Sequence, residues 1–109
     1  MDFDTILIPP RRAASIAEGL WHDRTINDDF DTCLAEHADK VALTALQVES
    51  GAIQRFTYRE LGTMVDRIAV GLARLGVGRN DVVSLQLPNW WQFTATYLAA
   101  HASARCSTR

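Results

Sequence analysis

The stretch from Phe56 to Asn89 constrains this chain most, because it joins a helix marked at both ends to an apolar run that needs a sheet around it. Thr57 and Glu60 stand three apart, so the Thr hydroxyl and the Glu carboxylate can each satisfy a backbone N–H that the first helical turn leaves unpaired. A helix is predicted to start there. Leu61, Val65, Ile68, Leu72 and Leu75 follow at helical steps along one side, which is expected to face a core. Arg59, Thr63, Asp66, Arg67 and Arg74 take the opposite side, and Gly76 sits where a left-handed residue closes the last turn. After the polar turn Gly78-Arg79-Asn80-Asp81, the run Val82-Val83-Ser84-Leu85-Gln86-Leu87 reads as a strand of the parallel type, covered by helices on both faces. Pro88 stops it. Asn89 with Gln92 is expected to cap a second helix carrying Trp90, Phe93, Tyr97 and Leu98.

The rest of the chain supplies supporting elements. Thr5-Ile6-Leu7-Ile8 is a short apolar stretch, and Pro9-Pro10 begins a brief helix through Arg11, Ala14, Ile16 and Ala17 to Gly19. Residues 1–24 form an N-terminal arm in this reading. Asn27, Asp28 and Asp29 are N-cap types ahead of Phe30, Cys33 and Leu34, which recur at helical spacing up to His37. Val41-Ala42-Leu43-Thr44-Ala45-Leu46 and Ile53-Gln54-Arg55-Phe56 are strands on either side of the turn Glu49-Ser50-Gly51-Ala52, a β-hairpin that runs into the helix cap at Thr57. The fold class is therefore α/β. From His101 onward no aliphatic residue is larger than Ala, so residues 101–109 are expected to be a disordered tail.

Composition excludes several function classes. A chain of 109 residues, 48% of them apolar, has room for one domain, and its net charge of −2 offers no basic face for nucleic acid or an anionic membrane surface. No apolar run reaches the roughly 20 residues needed to span a bilayer, and Met1-Asp2-Phe3-Asp4 lacks the basic start of a secretory signal, so a cytoplasmic protein is expected. Cys33 and Cys106 lack metal or redox spacing.

A search for reaction machinery assigns no catalytic, cofactor-binding or metal-binding residue. Gly71, Gly76 and Gly78 belong to a helix and its end, and no Lys-Ser or Lys-Thr pair follows them as a phosphate loop requires. His22, His37 and His101 lie in unrelated segments, and the neighbours His22 and Asp23 have no nucleophile beside them. Asp28 and Asp29 read as cap residues rather than metal ligands. Trp90 and Trp91 offer rings that stack on a base, against the commoner reading in which one ring is buried and the other half-exposed.

At the capped helix the sequence resembles a known family. Phe56-Thr57-Tyr58-Arg59-Glu60-Leu61 is similar to the first core motif of the AMP-forming adenylating enzymes: acyl-CoA synthetases, luciferases and peptide-synthetase adenylation domains. That motif continues there into Ala-x-Gly-Leu, Leu-Gly-Val, Gly-x-x-Asp-x-Val and Leu-Pro-Asn. This chain has Ala69-Val70-Gly71-Leu72, Leu75-Gly76-Val77, Gly78-Arg79-Asn80-Asp81-Val82-Val83 and Leu87-Pro88-Asn89 in the same order. Upstream, Gly19-Leu20-Trp21, Thr25-Ile26-Asn27-Asp28 and Ala38-Asp39-Lys40-Val41-Ala42-Leu43 resemble the leaders of ligases for medium-chain or alicyclic acids such as cyclohexanecarboxylate.

The resemblance implies the N-terminal piece of the large adenylate-forming domain, with residues 25–100 as a partial adenylation domain. It implies ATP-dependent activation of a carboxylic acid to an acyl adenylate, then acyl transfer to coenzyme A, with ATP, Mg²⁺ and coenzyme A as the cofactors of the full-length enzyme and a carboxylic acid as its substrate. The family's phosphate-binding loop, its ribose-binding Asp and its lysine-bearing C-terminal domain have no counterpart among these residues, so the chain alone is expected to be inactive. Its pattern departs from the family after Ala99, which reads as a frameshift or premature end. The alternative is a non-catalytic module that pairs through an exposed strand with a partner synthetase. Exposed apolar surface also raises the expectation of self-association.

Overall fold

The computed structural model describes residues 9–106, and the apolar stretch Thr5-Ile6-Leu7-Ile8 lies outside them. In chain order the elements are α1 (Pro9–Ala17), α2 (Ile26–His37), β1 (Val41–Gln47), β2 (Ala52–Thr57), α3 (Tyr58–Arg74) and α4 (Trp91–Cys106). β1 and β2 form an antiparallel hairpin pairing Thr44 with Arg55 and Gln47 with Ala52, with an irregularity between Val41 and Leu43. Its tip is closed by the Gly51 N–H donating to the Gln47 carbonyl at 2.7 Å, with Gly51 at φ 69.

The junction of β2 and α3 is the best-fastened point of the chain. The Thr57 hydroxyl accepts from the Glu60 N–H at 3.2 Å and a Glu60 carboxylate oxygen accepts from the Thr57 N–H at 3.2 Å, the reciprocal box the spacing predicts. The next two free amides are also taken: Tyr58 N–H donates to the Lys40 carbonyl and Arg59 N–H to the Ala38 carbonyl, both at 3.0 Å. At the far end Gly76 has φ 87, its N–H donates to the Ala73 carbonyl, and the Val77 N–H reaches the Leu72 carbonyl. That pair of bonds is the glycine-closed stop expected from the sequence.

The core lies between α3 and α4. Leu61, Val65 and Ala69 of α3 are buried against Ala95, Leu98 and Ala99 of α4, with Phe30, Phe56, Ile68, Leu72 and Trp91 packed around them. The buried centre of α3 thus steps by four, and Leu75, expected on that face, is 81% exposed because the drift of the stripe carries it past the edge of α4. On α4 the four residues named from the sequence divide, with Leu98 buried in the core. Trp90, Phe93 and Tyr97 are exposed, whereas Ala95, Ala99 and Ser103, at steps of four, are fully buried. Small side chains let the two helix axes approach closely, and a Phe or Tyr ring would hold them apart.

Three further boundaries differ from expectation. Residues 82–87 pair with no strand, because the hairpin is the one sheet among the described residues and does not extend to them. α4 begins after Trp90, whose carbonyl accepts from the Phe93 N–H at 3.0 Å, so the helix starts one residue later than an Asn89 cap would set it. The helix also continues past His101 to Cys106, since a helix needs only small residues where it lies against a neighbour, and Ser103 satisfies its buried hydroxyl on the Ala100 carbonyl at 2.9 Å. α1 forms where Pro9-Pro10 predicts it and packs against no other element among the described residues.

Candidate functional site

The openings among the described residues include three with a defined lining. The first, ≈400 Å³, runs between the turn and extended segment 77–85 and the outer side of α4, where Val83 and Leu85 face Phe93, Thr96 and Tyr97. Asp81 lies on its rim, but its carboxylate already accepts from the Gly78 N–H at 2.7 Å and closes the turn in which Asn80 has φ 68. The Gly-x-x-Asp spacing is thus a turn device. At the other end the Tyr97 and His101 rings stand 4.7 Å apart, and His101 Nδ1 lies 2.8 Å from the Tyr97 carbonyl.

The second opening, ≈220 Å³, lies between the hairpin tip and the start of α4 and is lined by Gln47, Gln54, Asn89, Trp90, Trp91 and Gln92 among others. Trp91 is half-buried, its ring 5.0 Å from that of Phe56, while Trp90 is exposed, so neither ring is fully buried as the sequence reading expects of one of them. The third, ≈480 Å³, is bounded by Leu20, Trp21, His22, Arg24 and Asp29. His22 has no catalytic company there: the nearby carboxylate of Asp29 is held by Arg24 at 2.7 Å, on an exposed surface.

The N-termini of α2 and α3 are capped by their own side chains. Thr25 caps α2 with Asp28 in a second reciprocal box, so the cap falls before the predicted Asn27. Asn27 instead lies within α2, 6% exposed, where its Nδ2 donates to the Leu98 carbonyl of α4 at 3.2 Å and its Oδ1 has no partner. An Asn two residues into a helix looks like a cap by type alone, and only the approach of α4 reveals the tertiary bond. Tyr58 sits beside Cys33 and Phe30, with ring centres of Tyr58 and Phe30 6.1 Å apart. Charge developing on Cys33 and a hydrogen bond to it push the Tyr58 hydroxyl above its ordinary pKa of 10.0, with desolvation adding to the rise.

These residues do not fit Mg²⁺ and a triphosphate. Such a ligand requires free backbone amides or cations, yet the N–H groups opening α3 are all engaged and the first two openings are lined by no Lys or Arg. Among the described residues no group of three or more His, Cys, Asp or Glu is arranged to hold a metal ion, and no helix is long and apolar enough to cross a membrane. No catalytic step is assigned to any residue here.

Comparison with known proteins gives the relationship. The model of a family described as "AMP-binding enzyme" matches residues 30–106. The chain is 35% identical over 75 residues to a 2,3-dihydroxybenzoate-AMP ligase of Bacillus subtilis, covering 69% of this chain and 13% of that protein. It is 32% identical over 89 residues to a medium-chain fatty-acid–CoA ligase of Escherichia coli, covering 82% and 15%. To a salicyl-AMP ligase of Mycobacterium tuberculosis it is 35% identical over 92 residues, 84% and 16%. No solved structure matches with comparable significance. The chain therefore spans less than a fifth of the length of these relatives. It belongs to the AMP-binding enzyme family, the adenylate-forming ligases.

Proposed function

We propose that this chain is the N-terminal part of the adenylation unit of an ATP-dependent acid ligase, the whole enzyme activating a carboxylic acid as its acyl adenylate with release of pyrophosphate and passing the acyl group to coenzyme A. The observation that carries this reading is the family match over residues 30–106, coinciding with the α3 helix whose four N-terminal bonds tie it to residues 38–40 and 57. The role of these residues in that unit is architectural. They anchor the helical layer on the hairpin, and ATP, Mg²⁺ and the acid are held by parts of the enzyme beyond residues 30–106.

A chimera tests it. The segment of the E. coli medium-chain ligase that corresponds to residues 30–106 is replaced by the present residues, and pyrophosphate release is followed with ATP, Mg²⁺, coenzyme A and medium-chain fatty acids. Acid-dependent release by the chimera is expected, as is silence from the 109-residue chain with a panel that adds acetate, salicylate and 2,3-dihydroxybenzoate. A folded chimera without release, or turnover by the short chain, would overturn the reading.

A further inference from the structure

Two sides of α4 compete for the core. Phe93 precedes Ala95, and Tyr97 precedes Ala99, by two residues, so the aromatic pair and the alanine pair stand about 200° apart round the helix. Area alone favours the aromatic side, because a Phe or Tyr ring removes far more apolar surface from water than an alanine methyl does. The alanine side is nevertheless the inner one. Ala95 and Ala99 are fully buried in the cluster with Leu61, Val65 and Ala69 of α3, while Phe93 and Tyr97 turn outward to the extended segment, where Val83 and Leu85 lie across from them.

One buried side chain responds to that choice. Asn27 of α2, 6% exposed, donates through Nδ2 to the Leu98 carbonyl of α4 at 3.2 Å. A short amide side chain reaches the main-chain carbonyl of a neighbouring helix only when the two helices lie close, which small residues at the contact permit and aromatic rings prevent. With the rings inward α4 stands off, the carbonyl leaves reach, and a buried amide donor loses its acceptor. We propose that Asn27 is the positioning residue that selects which side of α4 enters the core. Its bond to Leu98 holds the small-residue side on α3 and thereby turns the Phe93 and Tyr97 side to residues 82–87. A buried polar group used in this way costs stability and fixes one packing among several. The inference rests on bonds and burial within α2, α3 and α4 and is independent of the acid-activation reading.

Thiol labelling reads the orientation. In a Cys33→Ser, Cys106→Ser background of the full chain, Ala99→Cys reports the buried side of α4 and His101→Cys the exposed side. With Asn27 in place, a maleimide is expected to modify the His101→Cys chain many-fold faster than the Ala99→Cys chain. Asn27→Leu keeps the volume and removes the donor. It should lower that ratio of rates about ten-fold, the factor lost with one buried hydrogen bond, while the urea midpoint stays equal or rises. Asn27→Ala, read in the same way, should lower the ratio too. A role confined to stability moves the midpoint and shifts the ratio only in step with it. An Asn27→Leu chain that keeps both its helices by circular dichroism and its ratio, a ratio that falls only as far as the midpoint does, or loss of the helices in both variants overturns the proposal.

Discussion

At the residue scale, the chain is held by a few side chains that answer backbone groups. Thr57→Ala removes the acceptor for the Glu60 N–H and leaves the Glu60 carboxylate without its counterpart in the box; a loss of about 1 kcal/mol is expected, measured by urea denaturation. Asn27 is a different case. Its Nδ2 bond to Leu98 is offset by the unpaired Oδ1 beside it, so Asn27→Ala should cost about 1 kcal/mol or less, whereas Asn27→Asp buries a carboxylate that faces a carbonyl and should cost about 3 kcal/mol at neutral pH, with partial recovery as the pH falls and the carboxyl is protonated. Tyr58 gives an alkaline signature. Its hydroxyl is raised above 10.0 in the folded chain, so the unfolded chain loses that proton first, and stability falls as pH rises from about 10 through the folded value. Cys33→Ser removes the leading cause, and the tyrosinate absorbance at high pH should then appear earlier; an unchanged titration would show that Cys33 does not act on Tyr58.

At the element scale, the close packing of α4 on α3 decides what each face tolerates. Ala95 and Ala99 are fully buried where the helices meet, so Ala99→Leu is expected to cost about 1–3 kcal/mol by overpacking, while Phe93→Ala on the exposed side should cost well under that; thermal melts of the two variants check the order. Gly62 marks the approach of α2. A Cβ there would stand 2.5 Å from Leu34 Cδ1, the end of a flexible side chain, so Gly62→Ala should fall within about 1 kcal/mol of neutral while Gly62→Leu disrupts the contact. The Asp39–Arg59 pair, 3.1 Å and fully on the surface, contributes less than any of these.

At the scale of the whole molecule, the core is small for the chain. The radius of gyration is 16.4 Å against about 13 Å for a compact chain of this length, and six apolar residues form the buried cluster among the described residues. Differential scanning calorimetry is therefore expected to show a broad unfolding of low enthalpy that sharpens and shifts with concentration; a sharp, concentration-independent melt of a monomer would contradict it. What the sequence determined by itself was local: the Thr57–Glu60 box, the Gly76 stop, the hairpin and the proline-led α1 rest on backbone groups satisfied within a few residues, and the ordered motifs that carry the family resemblance are of this kind. Only the tertiary structure decided which faces are inside. The buried side of α4 is the one carrying Ala95, Ala99 and Ser103, because helix approach rewards small side chains over large apolar ones, and Ser103 falls where the sequence reading expected a disordered tail. Asn27 became a link between helices because α4 arrives beside it. Residues 82–87 keep their strand pattern yet pair with no strand among the described residues, since a strand exists only through a neighbour and no local rule can supply one.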